Sequence, residues 1–308
     1  MSGFAFWTAI WQGLSAGILC IGVFIAFRIV RFPDLSCDGT YPLGACVAGV
    51  LLLSGFNPFL ATVVAMMCGV LAGCITGLLN TKLRIPAIVA SILVMTALYS
   101  VNLVILKKPI ISLSKVSSVF TGPEKLISDY KMFFDKYHIT NIVYPIIFLI
   151  VIFIVWRIIV WFLNTEIGLA LRASGDNPKM AESMGIDTEK MIWMGLGLAN
   201  GLIALSGALF AQMQKFADVN LGIGMIIVGL ASVFIGEAFE NRLFRGSKIA
   251  GAITAVILGS LVYKFSIAWA YEIGLSTDYF NLLTSIIVAV ALLVPSVRGE
   301  ILSVVKRD

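Results

Sequence analysis

Nine long apolar runs constrain this chain more than any other feature. They lie at roughly 5–27, 41–56, 58–80, 86–106, 142–163, 191–211, 222–238, 247–269 and 279–297. Hydrocarbon offers no partner to backbone N–H and C=O groups, so runs of this kind read as helices that satisfy them internally. Composition agrees: 59% of the 308 residues are hydrophobic and 13% are charged, against about 25% charge in a soluble domain. The expected fold is all-α, a polytopic transmembrane helical bundle forming a single membrane domain over 1–308. The runs at 41–56 and 222–238 are short for a span of about 20 residues. Each reads as a broken or re-entrant helix beside a pathway, or equally as a thin span buried by its neighbours.

Charge sets the expected orientation. Met1 to Trp11 contains no basic residue, and Arg28 and Arg31 follow the first run. Ile18 and Leu19, instead of the small residues of a cleavage site, precede Cys20. An uncleaved first span with its N-terminus outside is the expectation, and nine spans then leave the C-terminus in the cytosol. On that topology Arg28, Arg31, Arg84, Arg157, Arg172, Arg242, Arg245, Arg298 and Arg307 all fall on the cytosolic side. A long external loop at about 107–141 carries six lysines together with Pro109, Pro123, Phe133, Phe134 and Tyr137. It is large enough for a short surface helix.

Catalytic chemistry is missing from the sequence. There is no GxxxxGK[ST] phosphate loop, so the chain is not expected to bind or hydrolyse ATP. Glycine patterns beginning at Gly195 and Gly222 lie inside spans and are incomplete. No Gly-x-Ser-x-Gly elbow occurs. The five cysteines (Cys20, Cys37, Cys46, Cys68 and Cys74) form no CxxC pair, and His138 is the single histidine, so no metal site is expected. The thiols read as small buried hydrophobes.

Charge within the runs is sparse. Lys264 and Arg157 read as snorkelling residues, and Glu237 and Glu240 as a cluster with Arg242 and Arg245 or as a contact for a cytosolic partner. The lack of a buried carboxylate or His relay argues against an ion-driven carrier. Candidate pathway or gate residues are therefore mostly neutral: Thr40, Ser91, Thr96, Ser100, Asn102, Asn200, Ser206 and Ser232. Each could instead bond a backbone carbonyl or a neighbouring helix. Asp34 and Asp38 are read at the cytosolic mouth beside Arg28 and Arg31, either as capping and ion-pairing groups or as a gate. Gly69, Gly73 and Gly77, and Gly195, Gly197, Gly201 and Gly207, form flat ridges for close helix packing or for sliding.

The cytosolic loop at about 164–190 has the punctuation of a short helix. Asn177 is an N-cap, Pro178 suits the first turn, and Gly185 can close the C-terminus. Met180, Ala181 and Met184 form one apolar strip, and Asp187 caps the following span. The helix is either a surface connection or a peg that carries motion from a cytosolic partner.

Three stretches resemble a known family. They are Gly168–Ala173 with Gly175-Asp176-Asn177-Pro178, Ala181 and Gly185-Ile186; Arg31–Ala45; and Gly229–Glu237 with Gly246 and Gly251. They resemble the ABC importer permeases of the branched-chain amino acid and ribose type, most closely the tryptophan/tyrosine-type branch. Asp34 to Tyr41 departs in composition from the broader family. The resemblance implies a type II-like permease in the bacterial inner membrane, working as a dimer with a second copy favoured. It implies docking of the loop, through Gly175, Asp176, Asn177, Pro178, Met180, Ala181, Glu182, Met184 and Gly185, in an ABC ATPase subunit dimer. That partner holds ATP and Mg. An extracytoplasmic substrate-binding protein would deliver an amino acid, the aromatic type favoured, and no nucleic acid is involved. A sugar or nucleoside permease is the alternative within the family. A secondary carrier and a non-transport membrane scaffold are the alternatives outside it.

Overall fold

The computed structural model describes residues 3–121, 140–243, 248–273 and 285–286. The expected ninth span at 279–297, apart from residues 285–286, and most of the external loop, 122–139, lie outside the described residues.

The helices are α1 (Gly3–Phe24), continued by a π-helical turn (Ile25–Ile29), α2 (Cys37–Leu53), α3 (Pro58–Thr81), α4 (Ala87–Leu106), α5 (Thr140–Leu163), α6 (Glu166–Asp176), α7 (Pro178–Ser183), α8 (Thr188–Gln214), α9 (Met225–Leu243) and α10 (Lys248–Glu272). Six of them are long and apolar enough to cross a membrane: α1 with its π turn, α3, α4, α5, α8 and α10. α2 and α9 are shorter apolar helices. One two-stranded antiparallel ribbon joins β1 (Ile110–Ser112) to β2 (Phe216–Asp218), pairing Ile110 with Asp218. It ties the chain after α4 to the chain after α8.

Local chemistry sets most boundaries. The Asn57 side chain accepts the Phe59 N–H and Pro58 occupies the first turn of α3, an N-terminus that needs no donor from proline. Lys107 ends α4 in the left-handed conformation, and Lys215 does the same for α8. Thr165 caps α6 by accepting the Gly168 N–H. α6 was not anticipated, because its polar sequence hides a helix whose signal is this Thr-Glu start.

α8 is the central post, packed on α3, α2 and α1. Backbone contact on two sides is possible because small residues line the seams. A Cβ on Gly69 or Gly73 would meet Asn200, Ala204 or Leu196 of α8, and one on Gly77 would meet Trp193. The expected glycine ridge of α3 is thus a packing surface for α8. On the other side Gly44 of α2 lies against Ala204, and Gly207 of α8 against the Tyr41 carbonyl. The outward faces of α3 and α5 present Phe59, Val63, Met67, Leu71, Phe153 and Trp161, a largely apolar surface suited to lipid, with Arg157 exposed between the last two.

Candidate functional site

The chain between the π turn and α2 positions the site. Ile25–Ile29 is a π-helical turn, and Arg31 follows with φ of 57°, a left-handed conformation that costs a non-glycine residue about 1–2 kcal/mol. The backbone then turns back into the bundle instead of running along its end. Ser91, inside α4, lies 3.4 Å from the Pro33 carbonyl. Asp34 meets Asn200 near the middle of the 27-residue α8. Gly39 packs on Met95 and Leu98, half-way along α4. α2 therefore starts at mid-depth.

α9 starts there too. Asp38 accepts the backbone N–H of Gly224 at 3.1 Å through Oδ2 and that of Ile226 at 2.8 Å through Oδ1. It thereby serves as the N-cap of a helix 186 residues away in sequence, satisfying donors that a helix start leaves open. Gly222 makes this approach possible, since a Cβ there would strike the Asp38 carbonyl. Gly224, at φ of 80°, makes the turn. Pro42 lies four residues beyond Asp38 inside α2 and has no N–H to give to that carbonyl. The short runs at 41–56 and 222–238 are thus helices that begin inside the bundle with converging N-termini.

Asp34 and Asp38 consequently lie in the interior, which corrects two expectations: that they flank the cytosolic mouth, and that the spans lack buried carboxylates. The gap between apolar runs hid a re-entry. Neither aspartate pairs with the nearby arginines. Arg28 pairs with Glu237 of α9, and Arg31 with Asp176 at the end of α6.

The predicted polar residues fall into two groups. One is a buried clamp in which Asp34 accepts the Ser36 N–H at 2.9 Å, the Ser36 hydroxyl at 2.6 Å and the Asn200 Nδ2–H at 2.7 Å. Thr40 donates to the Ser36 carbonyl at 3.0 Å. Ser91 belongs beside it, donating to its own turn at Ile88 and facing Pro33. These hydrogen bonds compensate a buried carboxylate that has no cationic partner among the described residues. The second group lines a cavity of about 370 Å³ with Asp38, Thr96 and Asn102. Asn102 Nδ2 donates to the Gly39 carbonyl at 3.1 Å. Thr96 caps its own helix turn through Ile92 and Leu93. Ser232 stands apart, bonding the Val228 carbonyl in α9. Ser36, Tyr99, Gly222 and Gly224 were not anticipated. Tyr99, three residues from both Thr96 and Asn102, carried a helical-spacing signal that could have found it.

Between α5 and α8, α6 and α7 form a compact hook. Gly175 sits on the Ile29 carbonyl of the π turn, a contact that a side chain would block. Asp176, paired to Arg31, is followed by Asn177, which accepts the Met180 N–H at 3.2 Å ahead of Pro178. Glu182 accepts from the Thr188 hydroxyl at 2.7 Å, and Gly185 turns the chain with φ of 83°. Asp187 caps α8 by accepting the Lys190 N–H at 3.1 Å. The Lys190 side chain, then its N–H, hold the Asp187 carboxyl below its usual range. Ala181 is buried at 3% exposure, whereas Met180 and Met184 are 62% and 73% exposed. The expected apolar strip is therefore divided: alanine anchors the helix and the two methionines face outward.

The family described as branched-chain amino acid transport system / permease component matches residues 6–292. A tyrosine transport system permease protein of Clostridioides difficile is 38% identical over 90% of this chain and 86% of its own. An uncharacterized protein of Rickettsia prowazekii is 32% identical over 95% of this chain and 98% of its own. A probable branched-chain amino acid transport permease of Methanocaldococcus jannaschii is 25% identical over 92% and 87%. No solved structure matches the chain at a significant level.

Proposed function

The chain belongs to the branched-chain amino acid transport system permease family and is a multi-pass bacterial membrane protein, and on that premise we propose that it is the membrane subunit of an ATP-binding cassette importer for an amino acid. It has nine spans, an external N-terminus and a cytosolic C-terminus. Two copies form the pathway between them. A separate ATPase dimer holds ATP and Mg, and an extracytoplasmic binding protein delivers the solute. The similarity to a tyrosine transport permease favours an aromatic amino acid over a sugar or nucleoside.

The observation that carries this reading is the docking of the α6–α7 hook on the re-entrant segment. Gly175 and Asp176 grip Ile29 and Arg31. Three residues beyond Arg31 is Asp34, clamped to Asn200, and seven beyond is Asp38, clasped to the start of α9. A displacement of the hook by an ATPase therefore reaches mid-membrane through a short, hydrogen-bonded segment. The exposed methionines Met180 and Met184 offer adaptable apolar contacts for that partner.

The partly buried Asp38 also orients the subunit. A carboxylate at mid-depth cannot face hydrocarbon, so the face formed by α2, α4 and the start of α9 turns to the pathway and to the second copy. The apolar faces of α3 and α5 turn to lipid.

Buried carboxylates favour one competing reading, a proton-coupled carrier. Two measurements separate them. The tagged chain is purified in mild detergent and each co-purifying polypeptide identified, and uptake into vesicles is tested for dependence on ATP or on a proton gradient. A P-loop ATPase and a binding protein, with ATP-dependent uptake, support the importer. Recovery of the chain alone after cross-linking in the membrane, with uptake abolished by a protonophore, would replace it with the carrier.

A further inference from the structure

Resting on the reading above that the transported solute is an amino acid, we propose that the cavity between α2, α4 and the β2–α9 turn is a transient substrate site in which Asp38 and Asn102 receive the α-ammonium group.

Two independent observations point to a cation. The first is electrostatic. Asp38 places a carboxyl group on the cavity wall, and none of the ion pairs among the described residues involves it. The N-terminus of α9 supplies a positive end worth roughly half an elementary charge, which leaves the carboxylate under-compensated. Its two oxygens accept the N–H groups of Gly224 and Ile226, with that of Met225 alongside, and the pair of oxygens has room for about four donors. The second observation is Asn102. It is fully buried, its Nδ2 is committed to Gly39, and its Oδ1 has no donor among the described residues. A buried amide oxygen without a donor costs about 1–3 kcal/mol and is not a feature that packing alone retains. Both groups line one cavity.

An ammonium is a compact cation with three donors and no acceptor, which matches two acceptors with spare capacity. Apart from Thr96, the remaining walls are apolar or aromatic. Pro42, Met95, Val219 and Ile223 enclose the space, and Tyr99 adds a ring. The volume of about 370 Å³ falls at the lower end of small-molecule pockets, about 300–1,000 Å³. A ring stacked beside Tyr99, with its ammonium at Asp38, uses both surfaces. Carboxylate-first entry is disfavoured by the Asp38 charge. The cavity opens on the pathway face, and Asp38 joins it to α9, so occupancy and helix position act on one residue.

The test uses the full chain in detergent with Cys20, Cys37, Cys46, Cys68 and Cys74 replaced and Ile223→Cys as a reporter at the rim. Modification rates are compared for the cationic aminoethyl and anionic sulfonatoethyl methanethiosulfonates, normalised to their rates with a free thiol. The expected preference for the cation is roughly tenfold, the size of one charge-assisted interaction, and Asp38→Asn should abolish it. Tyrosine and tyramine should protect the reporter, and des-amino hydroxyphenylpropionate should not. If Asp38→Asn fails to fold, Asn102→Leu should weaken tyramine protection while leaving the cation preference in place. Equal rates for both reagents, equal protection by the des-amino acid, or protection by sodium alone would each overturn the proposal. The assay needs no ATPase and no binding protein, so its failure leaves the importer reading intact, and a failed co-purification leaves these rates interpretable.

Discussion

Asn200, in the middle of α8, donates its Nδ2–H to Asp34 Oδ2 at 2.7 Å, closing a fully buried contact between residues 166 positions apart. Asp34 has no cationic partner among the described residues, so its three donors hold it in place, and the loss of one leaves a buried carboxyl group short of a partner. Asn200→Ala should destabilise the detergent-solubilised protein by about 1–3 kcal/mol, read as a lowered thermal midpoint. In a double-mutant cycle with Asp34→Asn the two losses should be far from additive. Additive losses would mean that the contact carries no coupling.

The divided surface of α7 predicts two different outcomes from similar substitutions. Met180→Arg with Met184→Arg changes exposed side chains and should detach the ATPase while the thermal midpoint stays within the range of surface changes, about 0.5 kcal/mol. Ala181→Arg forces a long cation into a buried position and should unfold the hook. Normal ATPase stoichiometry in the methionine double variant would place docking elsewhere.

Arg31 combines backbone strain with a pairing role. Arg31→Gly relieves a left-handed residue, worth about 1–2 kcal/mol, but deletes the pair with Asp176. Stability should hold or rise slightly while uptake per ATP hydrolysed falls. Asp176→Ala should lower the same ratio without the backbone gain. If both variants keep the ratio of the unmodified protein, the hook does not act through Arg31.

Asp38 joins α2 to the start of α9. Asp38→Asn preserves one acceptor oxygen and should uncouple ATP hydrolysis from uptake in vesicles. Asp38→Ala removes both acceptors and should also cost about 0.5–2 kcal/mol, the range for a lost N-cap. Unchanged coupling in the asparagine variant would remove Asp38 from the gate.

Close packing of α3 on α8 depends on glycine. Gly73→Val places a branched side chain against the Leu196 carbonyl, where backbone has no room to yield, and should cost about 1–3 kcal/mol or more. Gly185→Ala meets open space but keeps φ of 83°, so its cost, about 1–2 kcal/mol, is purely conformational. The two measured midpoints should therefore respond differently to Ala at Gly73, whose Cβ still strikes the Leu196 carbonyl, and to Asn at Gly185, which tolerates the left-handed region.

Much was legible in the chain itself, because the signals were local. Apolar runs show where lipid or helix is the neighbour, and Asn177-Pro178 and Asp187 name helix starts that side-chain capping then makes. Gly69, Gly73 and Gly77 announced a close partner through spacing alone. What stayed hidden was depth and partnership. Asp34 and Asp38 sit in a polar gap between two runs, and a gap has the same composition whether it crosses a membrane surface or folds back toward the middle. Its course is decided by Asn200, Gly222 and the free N–H groups of α9, all more than 160 residues away. The sequence by itself thus determined a helical membrane bundle with a capped hook between two spans, since periodicity and caps act within a few residues. Only the tertiary structure decided that two carboxylates lie inside it, because a buried charge is tolerable only where distant backbone and amide donors converge on it.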